Sequence, residues 1–221
     1  MLRVRMQWFF PGTLFGFLII VGLADLSIPL RASVIFSNII GPCCGGQAID
    51  GSNFPPNSAA EQFTPVATYL VTDARAVVLA VQNVGADPFF NIAIFSDASG
   101  IPGLPIGQTV ANLTAPPPLG GTVTASFSQT FLLQAGNPFW LVLTPADNST
   151  EVGWETGGSL SAPAAFTDST TGLGGWIATG PNHFQFAIDG TEVPEPNTLL
   201  LAISVLLVLV FGRVRRHPRS N

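Results

Sequence analysis

Thr122-Val123-Thr124-Ala125-Ser126-Phe127-Ser128 alternates without a break, with Val123, Ala125 and Phe127 on one side and four hydroxyl residues on the other. Period-two alternation marks a strand with one buried face. The same rule sets Phe184, Phe186 and Ile188 on one face of His183 to Asp189, and Ile92 and Ile94 against Ala93 and Phe95. Val77 to Val84 and Pro138 to Leu143 are apolar on both sides, as strands covered on both faces are. Breakers separate these runs: Gly85 to Pro88, Ser96 to Gly107, Ala115 to Gly121 and Gln134 to Pro138. No window of residues 33–193 carries a capped helical period of ten or more. The pattern predicts roughly eight to ten short strands. It implies an all-β fold, an antiparallel β-sandwich with a jelly-roll-like arrangement.

That domain, residues 33–193, lies between two segments of other character. Residues 1–32 read as an export signal peptide: Arg3 and Arg5 precede the apolar run Leu14 to Leu23, and Ala32 offers a small residue for cleavage. An uncleaved membrane anchor is the competing reading, because Trp8 to Phe10 extend the apolar stretch. At the other end, residues 194–219 begin with Pro194-Glu195-Pro196. A hydrophobic helix is expected over 199–211, and Arg213, Arg215, Arg216 and Arg219 follow. Thirteen residues rise about 20 Å, short of the ~30 Å hydrocarbon core, and snorkelling arginines extend that reach. Arg213, Arg215 and Arg216 act as a stop-transfer cluster and stay cytoplasmic, which leaves 33–193 outside.

Val193-Pro194-Glu195-Pro196, a short apolar helix and an arginine cluster, in that order at the chain end, resemble a PEP-CTERM sorting signal. The resemblance implies processing near Pro194, Glu195 and Pro196 by an exosortase, a membrane transpeptidase-like enzyme of Gram-negative bacteria. It also implies an association with exopolysaccharide and biofilm. The prolines keep this segment extended and outside the following helix, so a protease can reach its backbone.

Charged residues make up only 10% of the chain, against about 25% in an ordinary soluble domain. Within 33–193, Arg75 is the one basic residue against eleven acids. This excludes the basic footprint of nucleic-acid binding and argues against capture by anionic lipid. Gln62 to Pro65, Val77 to Val81, Phe90 to Phe95 and Asp97-Ala98-Ser99-Gly100-Ile101-Pro102-Gly103 resemble the choice-of-anchor type of ectodomain, the R variety. That resemblance implies a surface β-domain of unassigned activity and carries no catalytic residues.

Few residues point to chemistry. Cys43 and Cys44 are adjacent, so they cannot join distant strands; a strained vicinal disulfide, a pairing with another chain, or free thiols remain open. His183 is the one histidine of 33–193 and falls opposite the phenylalanines of its run, as a solvent-facing strand residue would. Glu151 and Glu155 flank Trp154 near Asp147, and a glycan hydrolase needs two carboxylates about 5–10 Å apart. Trp154 and Trp176 lie in Gly/Thr-rich stretches. If exposed they are flat platforms for sugar rings; if buried they close the core at strand ends. Trp140 lies inside an apolar run and reads as core. Asp97 with Ser99 and Gly100, and Asp50 with Ser52 and Asn53, are oxygen-rich turns that Ca²⁺ could use, but neither has the full loop pattern, and ordinary Asx-turns are the simpler reading.

No cofactor, metal site or catalytic residue is expected. The expected protein is a non-enzymatic surface or matrix protein. It is exported through the translocon, cut by signal peptidase, and tethered in the inner membrane until exosortase acts. The alternatives are a carbohydrate-binding module using Trp154 and Trp176, and a carboxylate-dependent hydrolase.

Overall fold

The computed structural model describes residues 33–40, 45–52, 56–80, 87–117, 120–157, 162–167, 175–182, 184–194 and 203–207. Twelve strands run through them: β1 (Ser33–Ser37), β2 (Gly46–Asp50), β3 (Ala59–Phe63), β4 (Tyr69–Ala80), β5 (Phe89–Asp97), β6 (Pro102–Thr114), β7 (Gly121–Leu133), β8 (Phe139–Pro145), β9 (Glu151–Glu155), β10 (Ala162–Thr167), β11 (Trp176–Asn182) and β12 (Phe186–Glu192). The fold is all-β, as the alternation predicts. The strand number exceeds the expected eight to ten because β2, β9, β10 and β11 are additions with little sequence periodicity. The only helix among the described residues is 203–207, inside the expected 199–211. No helix among the described residues is long and apolar enough to cross a membrane.

Two antiparallel sheets pack as a sandwich. The first runs β1-β12-β4-β9-β2, with β7 also on β4, and the second runs β11-β10-β3-β8-β5-β6. The twelve-residue β4 organises the first sheet. β7 pairs along one side of it, from Tyr69↔Leu133 to Val78↔Gly121. On the other side, β12 takes the first part, Tyr69 to Ala76, and β9 takes Val78 to Ala80. Across the whole fold, β1 pairs with β12, β3 with β8, β4 with β7, and β5 with β6. The first and last strands are therefore neighbours, and each later strand pairs inward.

Alternation decides which side chains meet between the sheets. In β7, Val123, Ala125 and Phe127 are buried while the hydroxyl residues between them face water. In β8 the odd residues Phe139, Leu141 and Leu143 enter the main core, and the even residues Trp140 and Val142 form a second cluster with Ala60 and Ala165. Both faces of β8 are covered, as its unbroken apolar run predicts. Along one flank β6 and β7 approach closely: at Gly107 (φ +75°) a Cβ would lie 2.4 Å from the Phe131 ring, so only glycine fits.

The two ends of the sandwich differ. At one, Ser33 pairs with Gly190, and the last backbone bond of β12 runs from Val193 N–H to Thr68 O (2.8 Å). Loops 64–68 and 134–138 close this end through Gly136 N–H to Pro65 O (2.9 Å) and Ala135 N–H to Thr68 Oγ1 (3.3 Å). The opposite end holds Asp50, Asp87, Asp147 and Glu151. They are tied together by the Asp50↔Glu151 pair, Glu151 N–H to Asp87 O (2.9 Å), and Ser149 Oγ–H bonds to Asp87 Oδ2 and Asp147 Oδ1.

Candidate functional site

The outer face of the second sheet carries the chain's unusual surface. Registers Gln62↔Trp140↔Phe95 and Ala60↔Val142↔Ala93 place these residues in two adjacent rows on that face. Trp140 is fully buried there, under Phe95 and Trp176. Phe95 on β5 and Trp176 on β11 are four strand steps apart, about 19 Å in a flat sheet at ~4.8 Å per step. Their rings nevertheless lie 6.5 Å apart, edge to face. The sheet therefore curls, and its outer face is concave over Trp140. Twist supplies that curl, because it brings diagonal corners of a sheet toward one another. The small side chains of Ala60 and Ala165 leave the tryptophans room beneath the curl.

Asp97 fixes the rim. Its Oδ1 accepts Trp140 Nε1–H (2.8 Å) and Gln62 Nε2–H (3.0 Å), and both carboxylate oxygens face Gly100 N–H at 3.2 Å. Ser99 (φ 61°) and Gly100 (φ 89°) are the central residues of the β5–β6 turn, closed by Ala98 N–H to Ile101 O (2.8 Å). Two successive positive φ values are the geometry of a tight hairpin turn whose twist matches its strands. The Asp97 to Gly103 element is thus a turn whose leading carboxylate orients a core indole. Asp97 spends its acceptors on three N–H groups, in keeping with the Asx-turn reading. Asp50 does the same locally, accepting Ser52 N–H and Oγ–H, both at 2.7 Å. No group of three or more His, Cys, Asp or Glu residues suited to a metal occurs among the described residues.

Trp154 is a correction to the sugar-platform expectation. It is fully buried on the inner face of the first sheet, stacked on Phe184 at 4.4 Å and 12°, and its Nε1–H donates to Gln185 O (3.1 Å). Parity with the buried Val152 on the same strand puts it there. Trp154 and Trp176 therefore sit on different sheets and are not brought together. Trp176 is partly exposed. Glu151 and Glu155 share the other face of β9, four residues apart, so their Cα atoms are about 14 Å apart at ~3.4 Å per residue. Side chains on one strand face stand roughly parallel, so this separation is wide for the ~5–10 Å between the carboxyl groups of a glycosidase pair. Glu155 is also buried, which removes it from a glycan's reach. The Ser149 hydroxyl and then its N–H hold the Asp147 carboxyl below its usual range. Cys43, Cys44, His183, Glu195, Pro196, Arg213, Arg215 and Arg216 lie outside the described residues; Pro194 is described and exposed.

A buried polar cluster escaped the sequence reading. It lies where β9 and β12 meet end to end along β4. Glu61 is fully buried, and its Oε2 accepts Phe184 N–H (2.5 Å). Asn38 donates from Nδ2 to Phe184 O (2.6 Å) and accepts Phe186 N–H at Oδ1 (2.8 Å). Gln185 Oε1 accepts Ile40 N–H (2.9 Å). These side chains satisfy backbone groups that the gap between two strands leaves without a ladder partner. Burial pushes the Glu61 carboxyl up to about 9, against the lowering effect of the Phe184 N–H. The signal was present: Ala59, Glu61 and Phe63 share one strand face, so an apolar-facing register carries Glu61 inward.

No family model matches this chain, and no curated protein matches it.

Proposed function

We propose that this chain is an exported, exosortase-processed surface or matrix protein of a Gram-negative bacterium, non-enzymatic, whose sandwich is delivered into exopolysaccharide. One observation supports this reading above the others. Backbone pairing stops at Val193, and Pro194, which has no N–H, is exposed immediately after it. Among the described residues, a cut at 194–196 would remove no strand and no core residue, so the described sandwich would survive processing. Nesting of β1·β12, β3·β8, β4·β7 and β5·β6 is that of one long hairpin rolled into two sheets, which supports a jelly roll as the arrangement. The export signal over 1–32 and the membrane helix over 199–211 belong to this proposal. The intact-mass spectrum of the protein recovered from a producing strain tests it. A C-terminus at 193–196 is expected, with the full tail retained in a strain lacking exosortase. Retention of the tail in both strains would sink the proposal.

A second reading, glycan binding, is favoured by the concave outer face of the second sheet. There Trp176 and Phe95 offer apolar edges beside the polar rim of Gln62 and Asp97. Trp154 plays no part in it. Trp176→Ala is expected to weaken binding to the organism's own exopolysaccharide at least about tenfold, ~1.4 kcal/mol. Isothermal titration checks this; unchanged affinity in a folded variant removes the reading.

A further inference from the structure

We propose that the end of the sandwich bearing Val66, Leu70 and Leu132 rests on the lipid surface while the chain is tethered. This rests on reading 199–211 as a membrane segment. Three observations converge on that end. Val66 is 88% exposed in the 64–68 loop, and the cross-strand partners Leu70 and Leu132 are 36% and 45% exposed. Large apolar side chains at these exposures do not contribute to the core; grouped, they mark a contact surface.

Both chain ends leave here. Ser33, where the mature domain begins, pairs with Gly190, and Val193 is held by Thr68. Five residues, 194–198, lie between Val193 and Leu199. Fully extended, the six steps from Val193 to Leu199 reach about 21 Å. No folded layer fits between the sandwich and the bilayer within that reach, so the end carrying Thr68 faces the membrane.

Charge gives the same orientation. The loops 64–68 and 134–138 hold no charged residue. Asp50, Asp87, Asp147 and Glu151 all lie at the opposite end. An anionic bilayer repels the end with those four clustered acids more strongly than the Thr68 end, where the acids are exposed Glu192, opposite Tyr69, and half-buried Asp97, next to the Ser96↔Phe139 pair. Apolar side chains at the contact then enter the headgroup boundary, as interfacial residues do. The contact area is small, so it orients the domain without anchoring it, and processing would release it.

The test uses the full chain in vesicles of phosphatidylethanolamine and phosphatidylglycerol containing doxyl-labelled lipid, with Cys43→Ser and Cys44→Ser as background. A bimane is placed at Val66→Cys or, at the far end, at Asn148→Cys. Lipid quenching at 66 at least about twofold greater than at 148 is expected. Flotation separates the two layers of inference. A chain that fails to float with the vesicles overturns the membrane reading of the tail and this proposal with it. A chain that floats with equal quenching at both sites overturns this proposal alone. Shielding of 66 without lipid quenching, together with a 66–66 crosslink, would assign the surface to a second copy and also overturn it.

Discussion

Glu61→Gln is expected to leave the sandwich almost unchanged at pH 5 and to stabilise it at pH 8. Glu61 sits in the core with its carboxyl raised to about 9, and in an unfolded chain it returns to about 4.5. Below pH 4.5 both states hold the proton, and its linkage costs nothing. Between about 4.5 and 9 the folded protein keeps a proton that the unfolded chain releases. Stability therefore falls as pH rises through this window, by about 1.4 kcal/mol per unit. At pH 7 the penalty is about 3 kcal/mol. Glutamine keeps an acceptor for Phe184 N–H and never ionises, so the slope vanishes in the variant. Asp147 contributes in the opposite sense: its lowered carboxyl adds stability above its ordinary range and loses it in acid, outside this window. Urea midpoints of residues 33–193 at pH 5, 7 and 8 check the prediction. Parallel pH slopes for both proteins would refute it.

Trp154→Ala carries the second large expectation. Its indole is fully buried, stacks on Phe184, and lies 6.1 Å from Phe186. Removing it opens a cavity between the sheets and leaves Gln185 O without its indole donor. A loss of about 3–5 kcal/mol follows. Trp176→Ala, at a half-buried site on the outer face, is expected to cost about 1–2 kcal/mol. Thermal unfolding of both variants separates the two roles. Equal costs would mean that Trp176 belongs to the core as fully as Trp154 does.

The contrast between these two tryptophans shows what local reading can reach. Both lie in Gly/Thr-rich stretches, and composition treats them alike. Parity along β9 assigns Trp154 inward with Val152, but only once the strand is known to begin at Glu151. Trp176 sits in a strand whose alternation, Trp-Ile-Ala-Thr-Gly, is too weak to orient. Glu61 was legible by the same parity, since it lies between Ala59 and Phe63. Its partners were not: Asn38 and Phe184 are 23 and 123 residues away. The Asp97 turn was visible as a motif, yet its bond to Trp140, 43 residues on, changes its meaning from an oxygen-rich turn to a clamp on an indole.

The sequence by itself determined the class of fold, because side chains alternate with the pleat and every exposed or buried face writes itself into a period of two. It determined the strand faces of β7, β5 and β8 in the same way. The tertiary structure decided the rest: the pairing of first strand with last, the curl that carries Trp176 to Phe95, and the clustering of Asp50, Asp87, Asp147 and Glu151 at one end. Those depend on which distant strands share hydrogen bonds and how the sheets twist. Neither is written in any window of neighbouring residues.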